Sequence, residues 1–159
     1  MSYRAPENVP RPTRALPSSG TLRVRVRYCE CDPMGVAHHA AYIPWLEMGR
    51  TELLRDAGVS YADIEAAGVF LVIVKLEASY KRPAFYDDLV EVRTRVTQAT
   101  RVKIRHEYEV VRAESGATLS SGIARHGPVG ETLVTATTLL ACVDRSGRPA
   151  ALPDWLAGE

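Results

Sequence analysis

The sequence predicts an α+β domain in which an antiparallel sheet curves around one helix. Three observations predict it: one alternating strand precedes an amphipathic helix, several strand-like stretches follow it, and no repeat or low-complexity tract intervenes. A chain of 159 residues is long enough for one domain with a proper core.

Residues 1–20 hold four prolines, three arginines and no apolar period, so they read as a loose arm ahead of a single domain over 21–159. From Leu22 the chain alternates strictly. Leu22, Val24, Val26 and Tyr28 fall on one face of a strand, and Arg23, Arg25 and Arg27 on the other. The arginines read as a solvated face rather than a nucleic-acid surface, because 20 Lys and Arg nearly balance 19 Asp and Glu across the chain.

The helix follows. Tyr42, Leu46, Gly49, Leu53 and Ala57 recur at spacings of four, three, four and four, which keeps one face apolar. Pro44 is tolerated only in a first turn, so the helix should begin between His39 and Ala41, and Gly58 should end it as the residue beyond the C-cap. The segment Asp32-Pro33-Met34-Gly35-Val36-Ala37-His38-His39 is then a tight loop leading to a helix N-terminus. Unpaired N–H groups and the helix dipole favour negative charge there.

Further on, Tyr61–Ala67 reads as another one or two helical turns closed by Gly68. The apolar run Val69–Val74 is too short to cross a membrane and rich in branched residues; it reads as a strand buried on both faces, continuing towards Pro83. Strands are expected over Leu89–Thr97 and Val102–Arg112, joined by a turn at 98–101. In the second of these Val102, Ile104, His106, Tyr108 and Val110 alternate with charged neighbours. A last pair is expected over Leu119–Ala124 and Thr132–Val143, then a turn at 144–149 and a short closing segment, Leu152–Leu156.

Cysteines are three, an odd number, and Cys29-x-Cys31 has no second pair to complete a four-ligand metal site. With no signal peptide and no apolar run of membrane-spanning length, the chain reads as a reduced, soluble, cytoplasmic protein. Cys31 lacks a histidine and orienting acid at a recognisable spacing, and reads as a small packing residue rather than a nucleophile. There is no Gly-rich phosphate loop and no Ser-centred elbow.

The run Asp32-Pro33-Met34-Gly35-Val36, with His39 seven residues after the acid, Tyr42 three later and then Glu47-Met48-Gly49-Arg50-Thr51-Glu52, resembles the 4-hydroxybenzoyl-CoA thioesterase family of hotdog-fold proteins, including its bacterial acyl-CoA thioesterase branch. Tyr80-Lys81-Arg82-Pro83 and Tyr86-Asp87-Asp88 extend the resemblance, which covers residues 22–156. It implies a long helix wrapped by a curved antiparallel sheet, and a homodimer or dimer of dimers that builds its active sites from two subunits.

The resemblance also implies roles. Asp32 would attack the thioester carbonyl or activate a water for that attack. At His39 the backbone N–H would donate to the thioester oxygen, and the branch with histidine here also uses the ring; one such preorganised donor is worth about 3 kcal/mol. Gly35 and Val36 would give close backbone and a pocket wall, His38 would line the pocket, and Tyr42 would pack beneath the loop. Glu47 is a reserve acid, since a related hotdog group uses a helical carboxylate, although its spacing to Arg50 equally suits a structural ion pair. Arg101 and Lys103 match a short basic run that meets the nucleotide phosphates, with Lys81 and Arg82 a second patch. Ala41 departs from the asparagine common in the acyl-CoA thioesterase branch, and 115–131 is longer than the usual hairpin.

The reading that follows is an acyl-CoA thioesterase needing no metal or cofactor, CoA being part of the substrate. An acyl-CoA or acyl-carrier binding protein without turnover is the alternative. A hydratase on a similar fold would want a differently placed His and acid pair. The acyl group is left open.

Overall fold

The computed structural model describes residues 5–6, 8–116 and 127–157. Its elements run β1 (Ser19–Arg25), α1 (Tyr42–Asp56), α2 (Tyr61–Ala66), β2 (Phe70–Tyr80), β3 (Leu89–Ala99), β4 (Lys103–Glu114), β5 (Thr132–Val143) and α3 (Asp154–Ala157). The five strands form one antiparallel sheet in the order β1-β3-β4-β5-β2. The strand expected over Leu119–Ala124 lies outside the described residues.

Helix α1 forms where its periodicity requires. A 3-10 turn over His39–Ala41 leads into it, Pro44 sits in its first turn, and Tyr42, Leu46, Gly49, Leu53 and Ala57 are buried, joined by Trp45. Its end is a Schellman cap: Gly58 at φ +84 donates to Arg55 O, and Val59 donates to Leu54 O. The same device ends α2, with Gly68 at φ +90 donating to Glu65 O and Val69 to Ile64 O. In both caps the apolar residues flanking the turn, Leu54 with Val59 and Ile64 with Val69, pack into one buried cluster. Gly49 is where the helix crosses β3 most closely; a Cβ there would fall 2.5 Å from Thr94 Oγ1.

Three expectations are revised. Strand β1 ends at Arg25, and Tyr28 enters a 3-10 turn with 82% of its surface exposed, its ring edge-on to Tyr86; the chain has left the sheet to build the loop that follows. Strand β2 is not buried on both faces. Among the described residues it is an edge strand paired only with β5; Val72, Ile73 and Val74 are 41%, 42% and 52% exposed, and Val74 sits at a bulge. The segment read as a loose arm lies against the end of α1, where Thr13 and Arg14 both donate to Ala57 O and Val9 is buried.

On β4, Ile104, His106, Tyr108 and Val110 face inward as their alternation requires, and the same phase carries Arg112 into the core opposite Val90. Arg112 is fully buried with Asp88. Its Nε donates to Asp88 Oδ2 at 2.9 Å, Nη2 donates to Pro83 O at 2.6 Å, Nη1 reaches Glu131, and the guanidinium lies over the Phe85 ring. Asp88 in turn accepts from Phe85 N at 2.9 Å and Gly116 N at 2.8 Å. One buried pair therefore fixes the 83–88 segment. Removing one partner of such a pair strands the other charge without water, so Arg112→Met should lower the unfolding free energy by about 3–5 kcal/mol in urea denaturation; a loss below about 1 kcal/mol would show that the pair does not hold the fold.

Candidate active site

Asp32 opens a short loop that closes on itself. Cys31 and Ala37 pair across its base, Asp32 N donates to Val36 O at 2.9 Å, and Gly35 N donates to Asp32 O at 2.8 Å. The Asp32 side chain completes the turn, Oδ1 accepting from Met34 N at 2.9 Å. Gly35 has φ +76, a conformation that costs a residue with a Cβ but not glycine. The loop is then sewn to 84–85: Val36 bridges Phe85, Ala37 N donates to Ala84 O at 2.8 Å, and Ala84 N donates to the Tyr42 hydroxyl at 3.2 Å. Tyr42 thus packs beneath the loop and hydrogen-bonds the strip that holds it.

The helix entrance lies beside this loop. His38 caps it, its Nδ1 accepting from Ala40 N at 3.2 Å and its carbonyl from Ala41 N at 2.8 Å. His38 is therefore a cap, with its exposed ring tilted 39° from that of His39 at 4.0 Å between centroids, a role added to the pocket lining expected of it. With Ala40 and Ala41 satisfied, the His39 N–H has no acceptor among the described residues. The Tyr80 hydroxyl donates to His39 O at 2.9 Å and orients that peptide.

Two members of this arrangement escaped the sequence reading. Glu30 is buried and accepts from Arg27 N and Nη2 at 2.8 Å and from Trp45 Nε1 at 2.9 Å, while its carbonyl accepts from His38 N at 2.8 Å. Burial pushes its carboxyl up, but the bonds from Arg27 and Trp45 outweigh this and hold it below its ordinary value. It braces the loop, the helix entrance and the helix body together. The only signal was an acid two residues before Asp32, and its partner Trp45 is identified only by folding. Tyr80, on β2, is the second.

Cys31 gains no thiolate character. Burial, and then the neighbouring Glu30 and Asp32 charges, raise its thiol. Glu47 is exposed on α1 and pairs with Arg50 Nη2 at 3.0 Å, the structural pairing its spacing suggested. Arg101 and Lys103 are not brought to Asp32. They lie at the β3–β4 turn, whereas the loop is joined to the other end of the sheet through Phe85 and Asp88. The eleven residues of β3, Leu89–Ala99, separate those ends by roughly 33 Å. Among the described residues no group of three or more His, Cys, Asp or Glu could hold a metal ion, and no helix is long and apolar enough to cross a membrane.

A cavity of about 320 Å³ lies under the second half of α1, walled by Leu54, Leu71, Ile73, Ile104 and Leu140 and bordered by Arg50 and His106. His106 is 6% exposed, and its Nδ1 has no hydrogen-bond partner among the described residues.

A five-stranded antiparallel sheet around one long helix, with an acid-bearing loop at the helix entrance, is the hotdog fold, and the protein is an enzyme of the thioester-hydrolase class. A DHNA-CoA thioesterase from Staphylococcus aureus superposes with a TM-score of 0.71 at 29% identity, over 84% of this chain and 80% of that one. The chain belongs to the thioesterase-like superfamily, whose model matches residues 26–159. Its relatives include YneP of Bacillus subtilis strain 168, 34% identical over 137 residues (83% of this chain, 88% of the relative). The acyl-CoA thioester hydrolase YbgC of Escherichia coli O6:H1 is 33% identical over 137 residues (86% and 91%).

Burial, and then the Arg50 charge, lower the His106 pKa to about 4, so the ring is neutral in the folded protein at neutral pH. Unfolded histidine titrates near 6.5, so the stability tied to the neutral ring is complete above about pH 6.5 and drains away as pH falls towards 4, by about 3 kcal/mol in all. Unfolding free energy measured from pH 7 to pH 4 should fall more steeply in the wild type than in His106→Leu; parallel curves would contradict this.

Proposed function

We propose that the protein hydrolyses acyl-CoA thioesters, with Asp32 as nucleophile or general base and the His39 N–H polarising the thioester carbonyl. The observation that carries the reading is the His39 amide: its neighbours Ala40 and Ala41 are satisfied by His38, so one donor stands open at a helix entrance next to a carboxylate loop. The family and the named activity of YbgC support the same chemistry.

Water or the Asp32 carboxylate attacks the carbonyl carbon, and negative charge develops on the oxygen that the His39 N–H faces. Collapse expels the CoA thiolate, a good leaving group that needs little help from an acid; attack by water, its proton taken by Asp32, gives the carboxylic acid directly, whereas attack by Asp32 leaves an acyl–Asp32 anhydride that a water then hydrolyses to the acid and the free carboxylate. Gly35 and Val36 bring backbone rather than bulk to the reacting carbon. Tyr80 and Glu30 hold the two sides of the helix entrance in place. The His39 ring, exposed between His38 and Tyr80, is available to the thioester or to the incoming water.

Asp32→Asn is a clean test because the amide oxygen can still accept from Met34 N and keep the turn. Thiol release from a panel of aromatic, short-chain and long-chain acyl-CoAs should fall by at least about a hundredfold in the variant, with the melting temperature unchanged. Full activity in the variant would sink the role given to Asp32.

The functional unit is a dimer joined through β2. Its ladder groups away from β5 are unpaired among the described residues, and Val72, Ile73 and Val74 present an apolar strip along that edge. Antiparallel pairing of two such edges about a two-fold axis sets the β3–β4 turn of one subunit towards the helix entrance of the other, the only way Lys103 and Arg101 reach a nucleotide whose thioester lies at Asp32. Val72→Glu combined with Val74→Glu should therefore give a monomer in sedimentation velocity, with hydrolysis lost together with the dimer. A dimer that survives both charges would place the seam elsewhere.

A further inference from the structure

The cavity beneath the second half of α1 shares two elements with the site, α1 and β2, whose residues Arg50, Leu54, Leu71 and Ile73 line it. On the helix, Ile43, Glu47, Arg50 and Leu54 recur at spacings of four, three and four, on a flank separate from the Tyr42–Leu46–Gly49–Leu53 core face. On β2 the inward register is Tyr80, Ala78, Leu76, Ile73 and Leu71, each paired with an inward residue of β5. At one end of β2 the Tyr80 hydroxyl meets His39 O; at the other Tyr61 holds Leu71 through both N–H and C=O. From His39 to Arg50 the helix rises ~16 Å, the reach of a medium to long acyl chain.

The cavity is not uniformly apolar. Arg50, with only 12% of its side chain exposed, gives Nη2 to Glu47, which is itself 64% exposed. A guanidinium has five donors. His106 adds a buried ring whose Nδ1 is unpartnered among the described residues, whereas the hydroxyl beside it, on Tyr108, is paired with Thr138 at 2.9 Å and with the Arg50 side chain. A plain methyl terminus seated here would leave the His106 Nδ1 dry and unpaired. Charge decides which polar group fits: Glu47 already offsets Arg50, and Glu65 adds a second carboxylate at the border. A further carboxylate would be repelled, while a neutral oxygen that both donates and accepts would not.

We propose that this cavity receives the far end of the acyl group and selects chains that end in a hydroxyl, with Arg50 and His106 as the specificity-determining residues. The proposal rests on the thioester-hydrolase reading for the thioester end of the substrate. The wall contributed by Leu16 and Pro17, in the segment ahead of β1, closes the cavity and makes its length finite.

The test compares dodecanoyl-CoA, ω-hydroxydodecanoyl-CoA and dodecanedioyl-CoA, with hexanoyl-CoA as a chain too short to reach Arg50. Wild-type kcat/KM should favour the ω-hydroxy chain over the plain chain by about tenfold, carried mainly by KM, and disfavour the diacid. His106→Leu and Arg50→Met should each abolish or reverse that preference while hexanoyl-CoA turnover is unchanged, and Arg50→Lys should restore part of it. If Arg50→Met does not fold, Arg50→Gln takes its place. Calorimetric titration with the free acids ω-hydroxydodecanoate and dodecanoate reads the cavity without turnover. Hydroxyl-selective binding that His106→Leu removes, with no thioester cleaved, would uphold the cavity and fail the hydrolase reading. Turnover with no hydroxyl preference, or a preference that survives both variants, would overturn the cavity proposal and leave hydrolysis standing. Preference for the diacid would overturn the charge argument on which the hydroxyl rests.

Discussion

The buried pair of Asp88 and Arg112 is the constraint on which the site depends. Two charges with no water around them cost several kcal/mol each to desolvate, and they are offset only by complete hydrogen bonding. That bonding is spent on backbone: Pro83 O, Phe85 N and Gly116 N converge on the two side chains. The strip they fix is the one to which the Asp32 loop is attached, through Val36 on Phe85 and Ala37 on Ala84. The position of a surface carboxylate is thus set from inside the sheet.

A second brace works from the helix side. Glu30 links Arg27, Trp45 and the His38 amide, and Trp45 is among the largest fully buried side chains. The helix cannot tilt without disturbing this acid, nor the loop without disturbing the helix. Rigidity of this kind is what electrostatic catalysis needs, because a donor that is already oriented pays no reorganisation cost when charge develops. His38 then sorts the entrance amides, taking Ala40 and Ala41 and leaving His39 open.

Among the described residues strand β2 is an edge strand that carries exposed apolar side chains, and it also walls the cavity under α1. The same strand thereby serves three structures: the sheet through β5, the helix entrance through Tyr80 and the cavity through Leu71 and Ile73. The bulge at Val74 adjusts its twist between the last two.

Local pattern determined a great deal here. The 3.6-residue period of α1, its proline-marked start and its glycine end, the alternation of β4, and the Asp-Pro-x-Gly loop at a helix entrance are all consequences of neighbours along the chain, and each is found where the sequence put it, while β1 forms but ends three residues before Tyr28. What it could not decide is which distant residue meets which. The exposed face of the Val69–Val74 run depends on strand order, because an apolar strand is central or at an edge according to pairings made far away in sequence. Arg112 obeys the alternation of β4, yet a charge in phase with the core becomes tolerable only when Asp88 and three backbone groups arrive to meet it. Glu30 as a brace, His38 as a cap, and the separation of Arg101 and Lys103 from Asp32 belong to the same class. Periodicity fixes which way a side chain faces, and only the closed tertiary structure fixes what it faces.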